Sequence, residues 1–270
     1  MKEKGIKIAI SGKGGVGKTT LASLLCHILS QKKSKVLAVD ADPDANLGMA
    51  LGFSSALLAQ ATTIAQDEKL IEERTGAVPG EFGGWFALNP FVEDIPEKYV
   101  VKQGNISLLQ MGAKSTGGAG CACPQSILLK SLLNHLVVER DEAVIVDMEA
   151  GLEHLGRGTA EGVDAFIIVV EPGQRSFATA RAVAKMARDL SVQNVYVVVS
   201  KLHGVNPSSI KDELQDLNVI GFLPYKVEAV YADLQGGTIF DLCPDLVEEA
   251  AAILDRIDKE LAETVESSQV

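Results

Sequence analysis

Short runs dominated by apolar residues recur along the chain, separated by segments whose apolar positions fall three or four residues apart. The runs at 6–10, 35–39, 106–109, 143–146, 165–170 and 195–199, with a further one at 219–223, are rich in valine, isoleucine and alanine. Runs without polar alternation suit strands covered on both faces, as in a parallel sheet. Helical periodicity lies between them at 20–30, 126–138, 177–190 and 208–217. The last periodic segment, 244–265, sets Leu246, Ala250, Ile253, Leu254, Ile257 and Leu261 on one stripe. Strands alternating with helices predict one α/β domain over 1–270, a doubly wound, mostly parallel sheet with helices on both faces. In such a sheet ligands bind beyond the carboxyl ends of the strands. The stretch 74–120 breaks the pattern: 74–103 shows no clear period and 112–120 is dominated by small residues. An irregular or mobile insertion is expected there.

The first apolar run leads into Gly12-Lys13-Gly14-Gly15-Val16-Gly17-Lys18-Thr19-Thr20, a Walker A sequence set between a strand and a helix. Its glycines let backbone N–H groups wrap around phosphate oxygens without Cβ clashes. The following helix N-terminus adds its partial positive charge at the same point. Lys18 is expected to reach the β- and γ-phosphates, and the Thr19 hydroxyl to ligate Mg²⁺. Lys13 is a second cation in a loop that needs only one. It is either a solvated surface lysine or an outward-pointing group that meets the nucleotide of a facing subunit.

Carboxylates stand at two further strand ends. The second run closes in Asp40-Ala41-Asp42-Pro43-Asp44. Acid beside polyphosphate repels it unless a metal or proton transfer offsets the cost. Asp42 is assigned to the attacking water and Asp40 to the Mg²⁺ surroundings; Asp44 is the rival for the water and equally fits a helix N-cap. The run 143–146 followed by Asp147 has Walker B form, with Asp147 holding Mg²⁺ through water. The glycine-bearing stretch after it, with Glu149, Glu153, His154 and Arg157, suits a switch that senses the γ-phosphate.

Cys121 and Cys123 flank a single alanine just before a helix signal. Free structural thiols, a redox pair and a metal pair all fit that spacing. One chain offers two soft ligands, and a closed tetrahedral site needs four, which two copies about a two-fold axis would supply for Zn²⁺, Ni²⁺ or Cu⁺. Cys26 reads as a core thiol; Cys243, His27, His135 and His203 have no motif spacing. The net charge of −11 gives no general attraction to nucleic acid or anionic membrane, and neither is expected as a partner. The apolar runs are too short to span a bilayer, and no signal-peptide pattern is read at the start, so a cytoplasmic protein is expected.

Together these residues resemble the carbon monoxide dehydrogenase accessory ATPases, a branch of the ParA/MinD-like, deviant Walker A class that also includes the nitrogenase iron protein. Lys13 with Lys18, Asp40-Ala41-Asp42-Pro43 and Asp147 match the class. Cys121-Ala122-Cys123-Pro124, the run from Asp147-Met148-Glu149-Ala150-Gly151 to Thr159, and Leu88-Asn89-Pro90 with Asp94-Ile95-Pro96-Glu97-Lys98-Tyr99 match the branch. The resemblance implies a MinD-like P-loop fold, ATP and ADP as nucleotides, and a homodimer closed by ATP in which Lys13 reaches across. It also implies one Ni²⁺ or Zn²⁺ per dimer held by Cys121 and Cys123, and nickel insertion into carbon monoxide dehydrogenase, or into acetyl-CoA synthase as the alternative client. A partitioning or positioning ATPase and an iron–sulfur redox protein are the competing classes; the acidic tail at 258–270 speaks against the first. The chain departs from the class where an asparagine often reads adenine: it has Ser200-Lys201. Base contacts are then expected to weaken or to lean on backbone near Pro224 and Lys226, unless Ser200 merely caps its strand.

Overall fold

The computed structural model describes residues 5–42, 44–77, 87–112, 124–136, 141–149 and 162–267. All seven apolar runs become strands of one sheet: β1 (Ile6–Ser11), β2 (Lys35–Ala41), β4 (Ile106–Gln110), β5 (Glu142–Met148), β6 (Ala165–Val170), β7 (Val195–Leu202) and β8 (Val219–Pro224). A three-residue strand, β3 (Val101–Gln103), completes eight in the order β3-β4-β2-β5-β1-β6-β7-β8. Pairing is parallel throughout except for β3 with β4.

The long helices are α1 (Lys18–Lys32), α6 (Pro124–His135), α7 (Gln174–Asp189) and α11 (Pro244–Ser267). Between them lie the shorter α2 (Leu47–Ala50), α3 (Ser55–Leu58), α4 (Glu68–Thr75), α5 (Ile95–Tyr99), α8 (Pro207–Glu213), α9 (Val227–Gln235) and α10 (Ile239–Leu242). Because successive strand residues point to opposite faces, the strands feed two cores. Ala9, Val146, Phe166 and Ile168 pack with Leu128 and Leu132 of α6 and Phe177 and Ala184 of α7. Ile8, Ile10, Ile145 and Ile167 pack on the other side with Leu21 and Leu25 of α1 and with α11. The α11 stripe is seated as expected, with Leu246, Ala250, Ile253, Leu254 and Ile257 buried and Leu261 packed against them.

Part of the stretch expected to be irregular is regular. Val92 and Ile95 are fully buried, Pro96 lies in the first turn of α5, and β3 follows at once. Proline there loses no helical hydrogen bond, so the helix starts where the sequence looks least periodic. Among the described residues no helix is long and apolar enough to cross a membrane.

Candidate nucleotide site

The turn between β1 and α1 lies in the middle of the sheet, at the carboxyl edge. Gly12, at φ 155°, passes so close to β6 that a Cβ there would stand 2.4 Å from the Val169 carbonyl oxygen. Gly15 and Gly17 take left-handed backbone, φ 77° and 95°, which only glycine adopts freely. Gly17 caps α1 without a side-chain hydrogen bond. The first N–H groups of α1 are thus left for an anion. Lys18 is buried; its Nζ donates to the Lys13 carbonyl at 3.3 Å and lies 3.5 Å from Asp42 Oδ2. Lys13 is exposed, and its Nζ donates to the Arg175 carbonyl at 3.4 Å. Gly14 is also exposed, while Val16 packs into the core below the loop and Thr20 is half-buried.

The strand register brings the acids to this loop. Asp40 of β2 and Ile10 of β1 both pair with Asp147 of β5. The Thr19 hydroxyl donates to Asp147 Oδ2 at 2.6 Å, and Asp40 Oδ2 accepts the Leu47 N–H at 2.9 Å. The second oxygens, Asp40 Oδ1 and Asp147 Oδ1, are buried with no hydrogen-bond partner. Burial pushes the Asp40 carboxyl up to about 7, against the Leu47 N–H and helped by the charge of Asp147. Burial likewise lifts Asp147 to about 6, opposed by Thr19 and Lys18. Two buried acids with orphaned oxygens beside a hydroxyl form a donor set that Mg²⁺ fits. Asp42 Oδ1 accepts the Asp44 N–H at 3.0 Å, which turns Asp42 toward Lys18 and leaves Asp44 exposed.

β7 ends against the loop. The Ser200 hydroxyl bonds the Val16 carbonyl and, at 3.2 Å, that of Val170; Lys201 Nζ bonds the Gly15 carbonyl. Both residues therefore touch the phosphate-loop backbone. Pro224 ends β8, and Lys226 pairs with Asp245 at 2.5 Å. Sequence reasoning missed Ser11, fully buried, whose Oγ donates to the Glu149 carbonyl at 3.0 Å and ties β1 to the segment after β5. A polar residue ending an apolar strand was the available signal. Cys26 is a core thiol and Cys243 is also buried. Cys121, Cys123, Glu153, His154 and Arg157 lie outside the described residues.

Residues 7–239 match the CobQ/CobB/MinD/ParA nucleotide binding domain. The carbon monoxide dehydrogenase accessory protein CooC of Rhodospirillum rubrum is 42% identical over 257 residues, covering 93% of this chain and 97% of that protein. An uncharacterised ATP-binding protein of Methanocaldococcus jannaschii is also 42% identical, over 255 residues, with 93% and 96% covered. Among solved structures, the MinD cell division protein of Aquifex aeolicus superposes with a TM-score of 0.65 at 23% identity, covering 94% of this chain and 97% of that one. A plasmid partition protein of Borrelia burgdorferi bound to AMPPNP reaches 0.68 at 18%, covering 95% and 100%; these two likenesses speak for the fold alone. With a glycine loop, a buried lysine and paired acids at three adjacent strand ends, the chain belongs to the CobQ/CobB/MinD/ParA nucleotide-binding family, as an ATPase of the branch that contains the carbon monoxide dehydrogenase accessory protein.

Proposed function

We propose that this ATPase works as a homodimer that assists nickel insertion into the active-site cluster of carbon monoxide dehydrogenase. The observation that carries the reading is 42% identity to the accessory protein of that enzyme over nearly the whole of both chains. Backbone N–H groups of the loop from Gly12 to Thr20 cradle the phosphates, and Lys18 neutralises the β,γ-bridge. Thr19 and Asp147 would hold Mg²⁺, with Asp40 behind them. Magnesium, when bound, offsets the charge of the triphosphate. Asp42 orients the attacking water; its carboxylate beside Lys18 favours it over exposed Asp44. Ser200 and Lys201 brace the loop, leaving the base to main-chain groups near Pro224 and Lys226.

Nucleotide drives metal transfer only if its states differ in metal affinity. Two subunits closing over ATP bring Cys121 and Cys123 together twice, enough for one Ni²⁺ or Zn²⁺ per dimer. Anaerobic metal titration of wild type and Cys121→Ala/Cys123→Ala, with a non-hydrolysable ATP analogue and with ADP, tests this. One metal per two chains, lost in the variant and altered by nucleotide, supports the reading. One metal per chain, kept in the variant, ends it. Parallel activation assays on nickel-free carbon monoxide dehydrogenase and acetyl-CoA synthase separate the two clients.

A further inference from the structure

Helix α9 is amphipathic the wrong way round. Val227, Val230, Tyr231 and Leu234 recur at helical spacing and all face solvent, Tyr231 54% and Leu234 74% exposed. The side turned to the protein carries the small residues Ala229 and Ala232. Leu242 of α10, 46% exposed, extends the stripe past the end of α9; its Cδ1 is 3.8 Å from where a Cβ on Gly237 would lie. A helix that serves only its own domain buries its large side chains and exposes its small ones. A contiguous apolar face of this kind marks a surface that is covered when the protein works.

Charge says what covers it. Glu228 and Asp233 flank the stripe on opposite sides, both exposed. From Val227 to Glu249 the chain has six carboxylates (Glu228, Asp233, Asp241, Asp245, Glu248 and Glu249) and no lysine or arginine. The lysine just before α9, Lys226, is already paired with Asp245. A second copy of this chain is a poor occupant. Its own stripe would bring Glu228 and Asp233 against their counterparts about a two-fold axis, on a protein of net charge −11.

We propose that the α9 stripe, with Leu242, is the docking face for a separate protein that presents an apolar patch bordered by lysine or arginine. Resting on the reading above, that protein is the client dehydrogenase. The helix α9 starts just beyond the end of β8, on the carboxyl edge of the sheet where the phosphate loop also lies.

The test measures binding of purified nickel-free carbon monoxide dehydrogenase from the same organism, with ATP hydrolysis and self-association followed in parallel. Val230→Glu/Leu234→Glu is expected to weaken binding at least tenfold at unchanged hydrolysis and self-association. Glu228→Lys/Asp233→Lys is expected to weaken it as well, and to remove most of the loss that wild type shows on going from low to high salt. Undiminished binding by both variants overturns the docking face while leaving the client reading intact. Loss of self-association in place of client binding makes the stripe a self-contact and overturns it too. If wild type does not bind the dehydrogenase at all, the client reading fails, and this assignment of the face fails with it.

Discussion

Lys7 lies inside the central strand β1, 2% exposed, and its Nζ donates to the Leu133 carbonyl at 2.6 Å and the Leu136 carbonyl at 3.4 Å, at the end of α6. Burial lowers its pKa from 10.5 to about 8, with Asp164 pulling the other way. Below pH 8 both folded and unfolded chains carry this proton, and the buried charge costs about 3 kcal/mol relative to the neutral amine. Between pH 8 and 10.5 the folded state sheds the proton first, so its stability rises with pH. Urea unfolding at pH 7 and pH 10 is expected to show wild type gaining on Lys7→Met by up to that amount; identical pH responses would refute it. Lys201 poses a second residue-scale question, since it takes left-handed backbone at φ 51°. Lys201→Gly relieves roughly 1 kcal/mol of strain but removes the brace on Gly15. Denaturation is expected to show a more stable protein and calorimetry a severalfold weaker hold on ATP, with kcat little changed. Unchanged ATP affinity would mean the brace does nothing for the loop. Neither contact was legible in the sequence, because the partners stand 126 and 186 residues apart. The phosphate loop was legible because what it demands, glycine at special φ and a lysine at a helix start, is local.

Between strands and helices, the seven long strands were readable because each is covered on both faces over most of its length and shows it as a run dominated by apolar residues, with Lys7 inside β1 and Ser107 inside β4 as the exceptions. The same rule hid β3, which has one buried residue, Val101, and two exposed ones. It also hid α9, whose apolar stripe points outward and follows β8 without a signal to separate inside from outside. The acids could be placed at strand ends from sequence, yet only the register, Asp40 beside Asp147, shows that they share one site. Packing between elements supplies a sharper test. Gly221 in β8 lies under α11, and a Cβ on it would stand 2.2 Å from Ile253 Cγ1. Gly221→Ala is expected to destabilise the protein by about 1–3 kcal/mol through overpacking. Ile253→Ala alone leaves a cavity and costs about 2–5 kcal/mol. Together the two changes are expected to cost at least 1 kcal/mol less than their sum, roughly the coupling seen between touching residues. Additive losses in urea titrations would show that β8 and α11 are not in this contact.

For the whole molecule, the two loop lysines divide the work by their burial. Lys18 is enclosed between its own loop and Asp42. Lys13 stands exposed on the same loop, held by one long contact to the Arg175 carbonyl, and is free to turn toward a facing subunit. In the proposed homodimer, two copies of a chain with net charge −11 would repel one another, and closing them over two triphosphates would call for cations at the junction. Lys13→Ala is therefore expected to bind ATP nearly as well as wild type, within about threefold, because Lys18 and the backbone amides remain. Hydrolysis should fall by roughly 10³-fold, the scale of losing a charge supplied in trans. Sedimentation with a non-hydrolysable analogue should show wild type shifting to dimer and Lys13→Ala remaining monomeric. Lys18→Ala, by contrast, should lose ATP binding itself. A Lys13→Ala protein that hydrolyses ATP at the parent rate would confine the chemistry to a single chain and leave nothing for nucleotide to transmit between subunits.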